Sequence, residues 1–115
     1  MRRGDVYWVD FEPARGSEPN KKRPAIIVSR DESNTYVAHH GIGTLTVVPL
    51  TSNTRFIASF QVLLAQDETG LSTDSKAQTE LIRTVSVDCI GDYIGTLSRN
   101  KVWELDEALK VHLNL

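Results

Sequence analysis

The segment GDVYWVDF, residues 4–11, consists largely of β-branched and aromatic side chains. Such side chains favour a pleated, half-buried strand over a helix. Val6 and Trp8 fall on one side of the extended chain, with Tyr7 on the other. The apolar pattern continues to Phe11. We expect these residues to form a β-strand around which the rest of the fold assembles.

Further segments of strand length follow at short intervals. Residues 12–22 are rich in Pro, Gly and Asn and are predicted to form a loop. Pro24 then opens the apolar run AIIVS, which is typical of a buried strand. Because proline is tolerated at the first residue of a strand, Arg23 is expected at the junction of loop and strand. The other predicted strands are residues 44–50, 59–65, 75–84 and 92–97.

Three features need a further argument. Residues 75–84 fit either a helix or a strand by pattern, and the turn chemistry before them favours a strand. Pro49 indicates an edge strand, a bulge or an early strand end. Residues 31–43 are polar and are predicted to form a short turn followed by a loop.

The last part of the chain predicts one helix. Ser98 is a suitable N-cap. The residues expected on the apolar face, with Ala108 and His112 beside them, are Val102, Leu105, Leu109 and Leu113. Several short strands and one terminal helix predict a mainly β, α+β fold: a small, partly open barrel of about six strands.

Length and composition restrict the function. A chain of 115 residues is expected to form one domain, residues 1–115, and dimerisation would bury further apolar surface. The sequence has no apolar stretch that resembles a signal peptide or a membrane span, and Cys89 is its only cysteine. Both observations favour a cytoplasmic location.

Charge is unevenly distributed along the chain. Residues 1–30 carry seven basic and four acidic side chains, whereas residues 31–115 carry six basic and eleven acidic ones. The basic excess centres on Arg15, Lys21, Lys22 and Arg23. A local positive patch on an acidic protein suits selective contact with nucleic acid, although composition alone favours the interpretation that Lys21 and Lys22 merely keep a loop soluble.

Taken together, these segments resemble the MazF/PemK (Kid) toxin family. The matching blocks, in the family's order, are RRGDVYWVDFEPARGSE, KKRPAIIVS, TVVPLTSNT, KAQTELIRTV and LDEALKVHL. The resemblance implies an SH3-like barrel of the kind shared by MazF and CcdB toxins, working as a homodimer. It also implies a toxin of a type II toxin–antitoxin system that cleaves single-stranded RNA without a metal or other cofactor, and so inhibits translation and growth.

The family's catalytic residues map onto three positions of this chain. Its arginine matches Arg23, its threonine matches Thr51, and a glutamate often found in the substrate loop matches Glu18. A guanidinium offers bidentate donors to phosphate oxygens, and Thr51 can add another donor. Because arginine stays protonated at neutral pH, charge stabilisation is its stronger role, and Glu18 is a candidate to orient it or to accept a proton.

RNA specificity is expected from loop side chains that read unpaired bases. The candidates are Ser17, Asn20, Lys21, Ser52, Asn53, Phe56 and Gln78. The chain departs from a common family pattern at Leu81, where many members have Gln, so no member's target sequence carries over. His39 and His40 have no matching family motif and, on an extended segment, would point to opposite faces. No metal-ligand spacing is evident.

The resemblance also implies a partner and leaves two alternatives. A MazE-like antitoxin with a disordered, often acidic tail is expected to lie across the toxin dimer and to compete for the basic patch around Arg23. A gyrase poison of the CcdB kind shares the fold, but it has no need of the Arg23-Pro24 and Pro49-Leu50-Thr51 blocks. A catalytically silent RNA-binding homologue is the second alternative, and intact Arg23 and Thr51 argue against it.

Overall fold

The computed structural model describes residues 1–12 and 21–115. These residues form seven strands, three helices and two short 3₁₀ turns. The strands are β1 (Asp5–Glu12), β2 (Lys21–Ile27), β3 (Thr44–Thr51), β4 (Gln61–Leu64), β5 (Ser75–Gln78), β6 (Arg83–Ser86) and β7 (Ile90–Thr96). The helices are α1 (Asp31–His40), α2 (Gln66–Thr69) and α3 (Arg99–Leu113), and the 3₁₀ turns are Thr79–Leu81 and Val87–Cys89.

The strands form one sheet in the order β4-β5-β3-β2-β1-β7, with β6 paired to the first half of β3. All of the pairings are antiparallel. The predicted α+β class and terminal helix are confirmed. The described part of the chain has seven strands rather than about six, and no ladder joins β4 to β7, so the barrel is not closed.

Two apolar clusters cover the sheet. Val6, Ile26 and Val48 belong to the cluster that packs against Leu105 of α3. Their neighbours along the same strands point the other way, because successive side chains alternate. Residues of the second cluster include Val9, Ala25, Ile27, Val47 and, from α1, Val37. The central strands are therefore buried on both faces, which explains the continuous apolar run in β2.

The loop predicted for residues 31–43 is wrong for its first ten residues, which form α1. Only Asn34 and Val37 of this helix are buried, so its sequence lacks an apolar stripe. Acidic residues occupy its first turn, and Gly41 ends it with a φ of 66°. Asn34 anchors it by donating to the carbonyl oxygen of Ser29 at 2.8 Å.

The single strand predicted for residues 75–84 is divided in two. β5 pairs with β3 at Leu50 and Thr51, whereas β6 pairs with β3 between Thr44 and Val47. Pro49 lies between these two ladders, where β3 changes its partner. Since proline has no N–H to donate, it suits that gap. The residues that cross the gap form the 3₁₀ turn Thr79–Leu81.

Helix α3 begins as predicted, with the Ser98 hydroxyl accepting from the backbone N–H of Lys101 at 3.3 Å. Leu105, Ala108 and Leu109 are buried, but Leu113, expected on the apolar face, is 46% exposed. The last turn thus extends past the sheet. No helix among residues 1–12 and 21–115 is long and apolar enough to cross a membrane.

Candidate active site

Arg23 is the third residue of β2, so the prediction that it lies at a loop–strand junction is wrong. The strand starts before Pro24 because Lys21 and Lys22 already pair with β1. β2 and β3 align Ala25 with Pro49. Beyond this pair, the Arg23 guanidinium reaches the carbonyl oxygen of Leu50, the residue before Thr51. The two predicted catalytic residues are therefore brought together by the pairing of adjacent strands.

Two acceptors on neighbouring strands hold the guanidinium of Arg23. Its Nη2 donates to the carbonyl oxygen of Leu50 at 3.0 Å and also to Oε1 of Gln78. Among the described residues, no acceptor engages its Nε or Nη1. Because a guanidinium carries five N–H donors in a rigid plane, this side can still receive the oxygens of a phosphate.

The hydroxyl of Thr51 can still donate its hydrogen to a ligand. Its Oγ1 accepts from the backbone N–H of Asn53 at 3.3 Å, in the turn that leaves β3. A hydroxyl has one hydrogen to donate and two lone pairs. With one lone pair used by the turn, the side chain is oriented and its hydrogen can point to a ligand. Thr51 therefore offers an oriented hydroxyl that can donate to a ligand.

Both residues line a groove of about 310 Å³. Its lining residues are Trp8, Arg23, Pro24, Leu50, Thr51, Ser52, Leu71, Ser72, Thr73 and Ser75. This lining contains hydroxyls and one guanidinium, but no carboxylate or imidazole from the part of the chain described. The groove can bind an anion and stabilise charge, and its described lining supplies no carboxylate or imidazole as a proton acceptor.

Sequence reasoning missed Trp8 and the segment 71–75 as groove residues. The one sequence signal for this segment is the run of small hydroxyl side chains after Gly70. Many surface turns have the same composition, so the signal does not indicate a site. Trp8 was treated only as part of a strand. It is 42% exposed, which is unusual for a tryptophan beside the fully buried Val9.

The predicted RNA-binding residues are dispersed. Ser52 lines the groove, and Gln78 is engaged by Arg23. Lys21 lies 3.3 Å from the carboxylate of Glu12, in an exposed ion pair. Asn53 is exposed, and Phe56 is 73% exposed. The predicted roles of Ser17, Glu18 and Asn20 lie outside the described residues, as does Arg15 of the basic patch.

The three histidines lie away from the groove. His39 and His40 are exposed on α1, where the His40 ring stacks on Tyr36 with 4.0 Å between centroids. Their segment is helical, so the prediction that they point to opposite faces of an extended chain is wrong. His112 is exposed on α3, with its ring 6.2 Å from that of Phe60. None of them is placed to act on a phosphate beside Arg23.

Three residues outside the groove have displaced pKa values. Burial, followed by the nearby Asp5 and Tyr93, raises the pKa of Tyr7. A hydrogen bond from the backbone of Arg3 lowers the pKa of Asp31, and one to Glu104 raises the pKa of Lys101. Within residues 1–12 and 21–115, no three His, Cys, Asp or Glu side chains are grouped so that they could hold a metal ion.

Comparison with known proteins gives one consistent answer. A family described as PemK-like, MazF-like toxins of type II toxin–antitoxin systems matches residues 2–113. Endoribonuclease MazF9 of Mycobacterium tuberculosis is 49% identical over 115 residues, which cover all of this chain and 98% of the relative. Endoribonuclease MazF of Staphylococcus epidermidis is 32% identical over 116 residues, covering all of this chain and 92% of the relative.

The solved structures agree in fold. A mycobacterial endoribonuclease in complex with its cognate antitoxin superposes with a TM-score of 0.77 at 25% identity, covering 100% of this chain and 96% of that one. A MazE–MazF crystal structure from Deinococcus radiodurans gives 0.77 at 21% identity, covering 100% and 96%. The second likeness concerns the fold alone.

Proposed function

Since the chain belongs to the PemK-like, MazF-like toxins of type II toxin–antitoxin systems, we propose that Arg23 and Thr51 form the phosphate-binding centre of its endoribonuclease site. The chain is an endoribonuclease toxin of this family. The observation that carries the proposal is the pairing of β2 with β3, which sets both side chains on one groove.

The reaction needs little covalent chemistry from the protein. The substrate's own 2′-oxygen attacks the adjacent phosphorus, and the bond to the 5′-oxygen breaks. The products are a 2′,3′-cyclic phosphate and a 5′-hydroxyl. One proton leaves the 2′-hydroxyl and one reaches the 5′-oxygen. The site has to stabilise the extra negative charge on the phosphorus oxygens between these events.

Arg23 supplies that stabilisation through its Nε and Nη1 donors, with Thr51 donating a further hydrogen bond. Removing one such donor from an active site typically costs ~3–4 kcal/mol of transition-state stabilisation. Gln78 acts as a positioning residue, because its amide oxygen fixes Nη2 and turns the other donors toward the groove. Glu18, in the segment outside the described residues, stays a candidate to orient Arg23 or to accept a proton.

The substrate proposed is single-stranded RNA, read by unpaired bases and cut without a metal. The groove is lined by hydroxyl side chains together with Arg23 and the exposed Trp8, so an extended strand can lie along it. A MazE-like antitoxin blocks this surface, and its acidic tail competes with phosphates for Arg23. The toxin acts in the cytoplasm as a homodimer, and residues 1–115 work as one domain.

Mapping the 5′ ends of a long RNA incubated with the protein in excess EDTA tests this proposal. We expect discrete cuts with the wild type and none with Arg23→Ala. Arg99→Ala, which removes an exposed guanidinium from α3, is the matched control and should cut as the wild type does. Loss of cutting in EDTA, or equal cutting by Arg23→Ala, would contradict the proposal.

A further inference from the structure

Trp8 lies opposite an irregularity in the neighbouring strand. In the ladder of β1 and β7, Tyr7 pairs with Tyr93 and Val9 pairs with Ile90. Two residues of β7, Gly91 and Asp92, therefore face the single residue Trp8. Such a bulge bends its strand and redirects nearby side chains, and bulges are frequent beside functional sites.

Glycine is well suited to the first position of this bulge. A Cβ at Gly91 would lie 3.1 Å from the carbonyl oxygen of Trp8 and 3.6 Å from its Cβ. Most side chains there would push Trp8 away. The close approach of the two backbones keeps Trp8 at the rim of a second pocket of about 390 Å³, a size typical of small-ligand sites.

Trp8 lines both this second pocket and the groove that holds Arg23 and Thr51. Trp8 therefore separates the two cavities, and an RNA strand that passes from one to the other has to cross it. An exposed aromatic face beside a phosphate site is the usual platform for an unpaired base. This position is continuous with the proposed catalytic groove.

The polar groups of the second pocket favour a base over a phosphate. Its lining residues are Trp8, Val9, Asp10, Lys22, Asp88, Cys89, Ile90, Gly91 and Asp92. Three carboxylates against one lysine would repel a phosphate group. A neutral group that donates hydrogen bonds meets no such repulsion.

Asp10 and Lys22 are the cross-strand pair of this pocket. The ion pairs found among the described residues do not join these two side chains. Asp10 Oδ1 is buried, and no described residue donates to it. A buried carboxylate oxygen without a donor is costly, so the pocket is short of one donor. A carboxylate accepts from adjacent N–H groups, while an ammonium donates to a carbonyl oxygen.

Guanine presents this combination, with two adjacent N–H donors and the O6 acceptor on one edge. We propose that Trp8 is a base-stacking residue, and that the pocket formed with Asp10 and Lys22 selects a guanine next to the cleaved phosphate. The inference rests on the proposed function, since it places the pocket along the same RNA strand.

Cleavage kinetics and mapped sites test the proposal on the full chain. Trp8→Ala should raise the KM for a single-stranded RNA roughly 10- to 100-fold, the loss typical of a stacking aromatic, with a smaller change in kcat. Trp8→Phe should restore most of the loss, which a merely disrupted fold would not allow. Trp103→Ala removes the other, 60% exposed tryptophan and should leave KM unchanged.

The choice of base at the cleavage sites tests whether the pocket with Asp10 and Lys22 selects guanine. Asp10→Asn should cut at more sites and lose the guanine shared by the wild-type sites. An unchanged guanine preference in Asp10→Asn, wild-type sites that share another base, or a wild-type KM in Trp8→Ala would overturn the inference.

A binding measurement separates this inference from the proposed function. In Trp103→Phe protein, Trp8 is the sole tryptophan, and its fluorescence should be quenched by a guanine-containing oligonucleotide carrying 2′-deoxyribose throughout. Such an oligonucleotide cannot be cut by 2′-hydroxyl attack. Quenching supports the pocket even if the wild type fails to cleave RNA, and absence of quenching at saturating oligonucleotide contradicts it.

Discussion

The guanidinium of Arg23 on β2 donates to the side-chain oxygen of Gln78 on β5, 55 residues later in the chain. β3 lies between these two strands, so the hydrogen bond crosses the strand that carries Thr51. Three strands thus meet at one guanidinium. This hydrogen bond fixes the direction of the Arg23 guanidinium.

Gln78→Ala should lower kcat about tenfold, because Nη2 of Arg23 loses an acceptor and the guanidinium can rotate. Gln78→Glu keeps an acceptor and should retain the fixed geometry, but its negative charge should weaken RNA binding. Steady-state kinetics on one mapped RNA site separates the two effects as changes in kcat and KM. The exposed Gln66→Ala is the control. A wild-type kcat for Gln78→Ala would show that Gln78 does not position Arg23.

Thr51→Val replaces the hydroxyl by a methyl group of similar volume. It should reduce kcat about 10²- to 10³-fold if the hydroxyl donates to the phosphate in the transition state. Thr51→Ser keeps the donor and should recover most of the rate. Thr44→Val changes an exposed threonine at the other end of the same strand and serves as the control. Equal rates for Thr51→Val and wild type would remove Thr51 from the catalytic centre.

Asn34→Ala should lower the free energy of unfolding by about 1–3 kcal/mol, because it leaves buried polar groups without partners. Asn34 is fully buried and donates to the carbonyl oxygen of Ser29. The hydroxyl of Ser29 in turn accepts from the backbone N–H of Thr46 on β3. Urea denaturation measures the change. Asn100→Ala, on the exposed surface of α3, should have little effect. Similar losses in both variants would argue against this anchor.

Asp31 gives a pH-dependent stability. The backbone N–H of Arg3 donates to its carboxylate at 2.7 Å and holds the pKa below the ordinary value of 3.8, against the opposing effect of burial. Because the folded pKa is the lower one, this contribution is present above the ordinary value and is lost as pH falls through the folded pKa.

Asp31→Asn should therefore lower Tm at about pH 6, and its difference from the wild type should shrink below about pH 4. Thermal unfolding followed by circular dichroism across this range measures the effect. Glu32→Gln changes the next carboxylate of the same helix turn and should show a weaker pH dependence. A Tm difference between Asp31→Asn and the wild type that grows at acid pH would contradict a lowered pKa of Asp31 in the folded state.

Elements with a strong local pattern were predictable from the sequence. β1, β3 and α3 follow from alternation, β-branched content and the Ser98 cap. Helix α1 was missed because only Asn34 and Val37 of it are buried, and a polar segment gives no apolar periodicity. The division of residues 75–84 depends on where β3 changes its partner, which is a tertiary property.

The active site, too, could be predicted from the sequence only in part. Arg23 and Thr51 were identified by their motifs, and the strand register explains why the motifs occur together. Trp8 was not identified, because its place at the groove depends on segments that follow much later in the chain, such as residues 71–75. Local sequence around Trp8 indicates only a strand. Gln78 was named as an RNA contact, whereas its bond to Arg23 required the fold.

Arg23→Lys is the decisive variant for Arg23 as the phosphate-binding residue, since it keeps the positive charge and removes the bidentate geometry. The measurement is the single-turnover rate at one mapped RNA site in excess EDTA, together with the Kd for the same RNA carrying 2′-deoxyribose at that site. We expect a rate at least about 100-fold below the wild type, with Kd changed less than about tenfold. A single-turnover rate within about threefold of the wild type would contradict it.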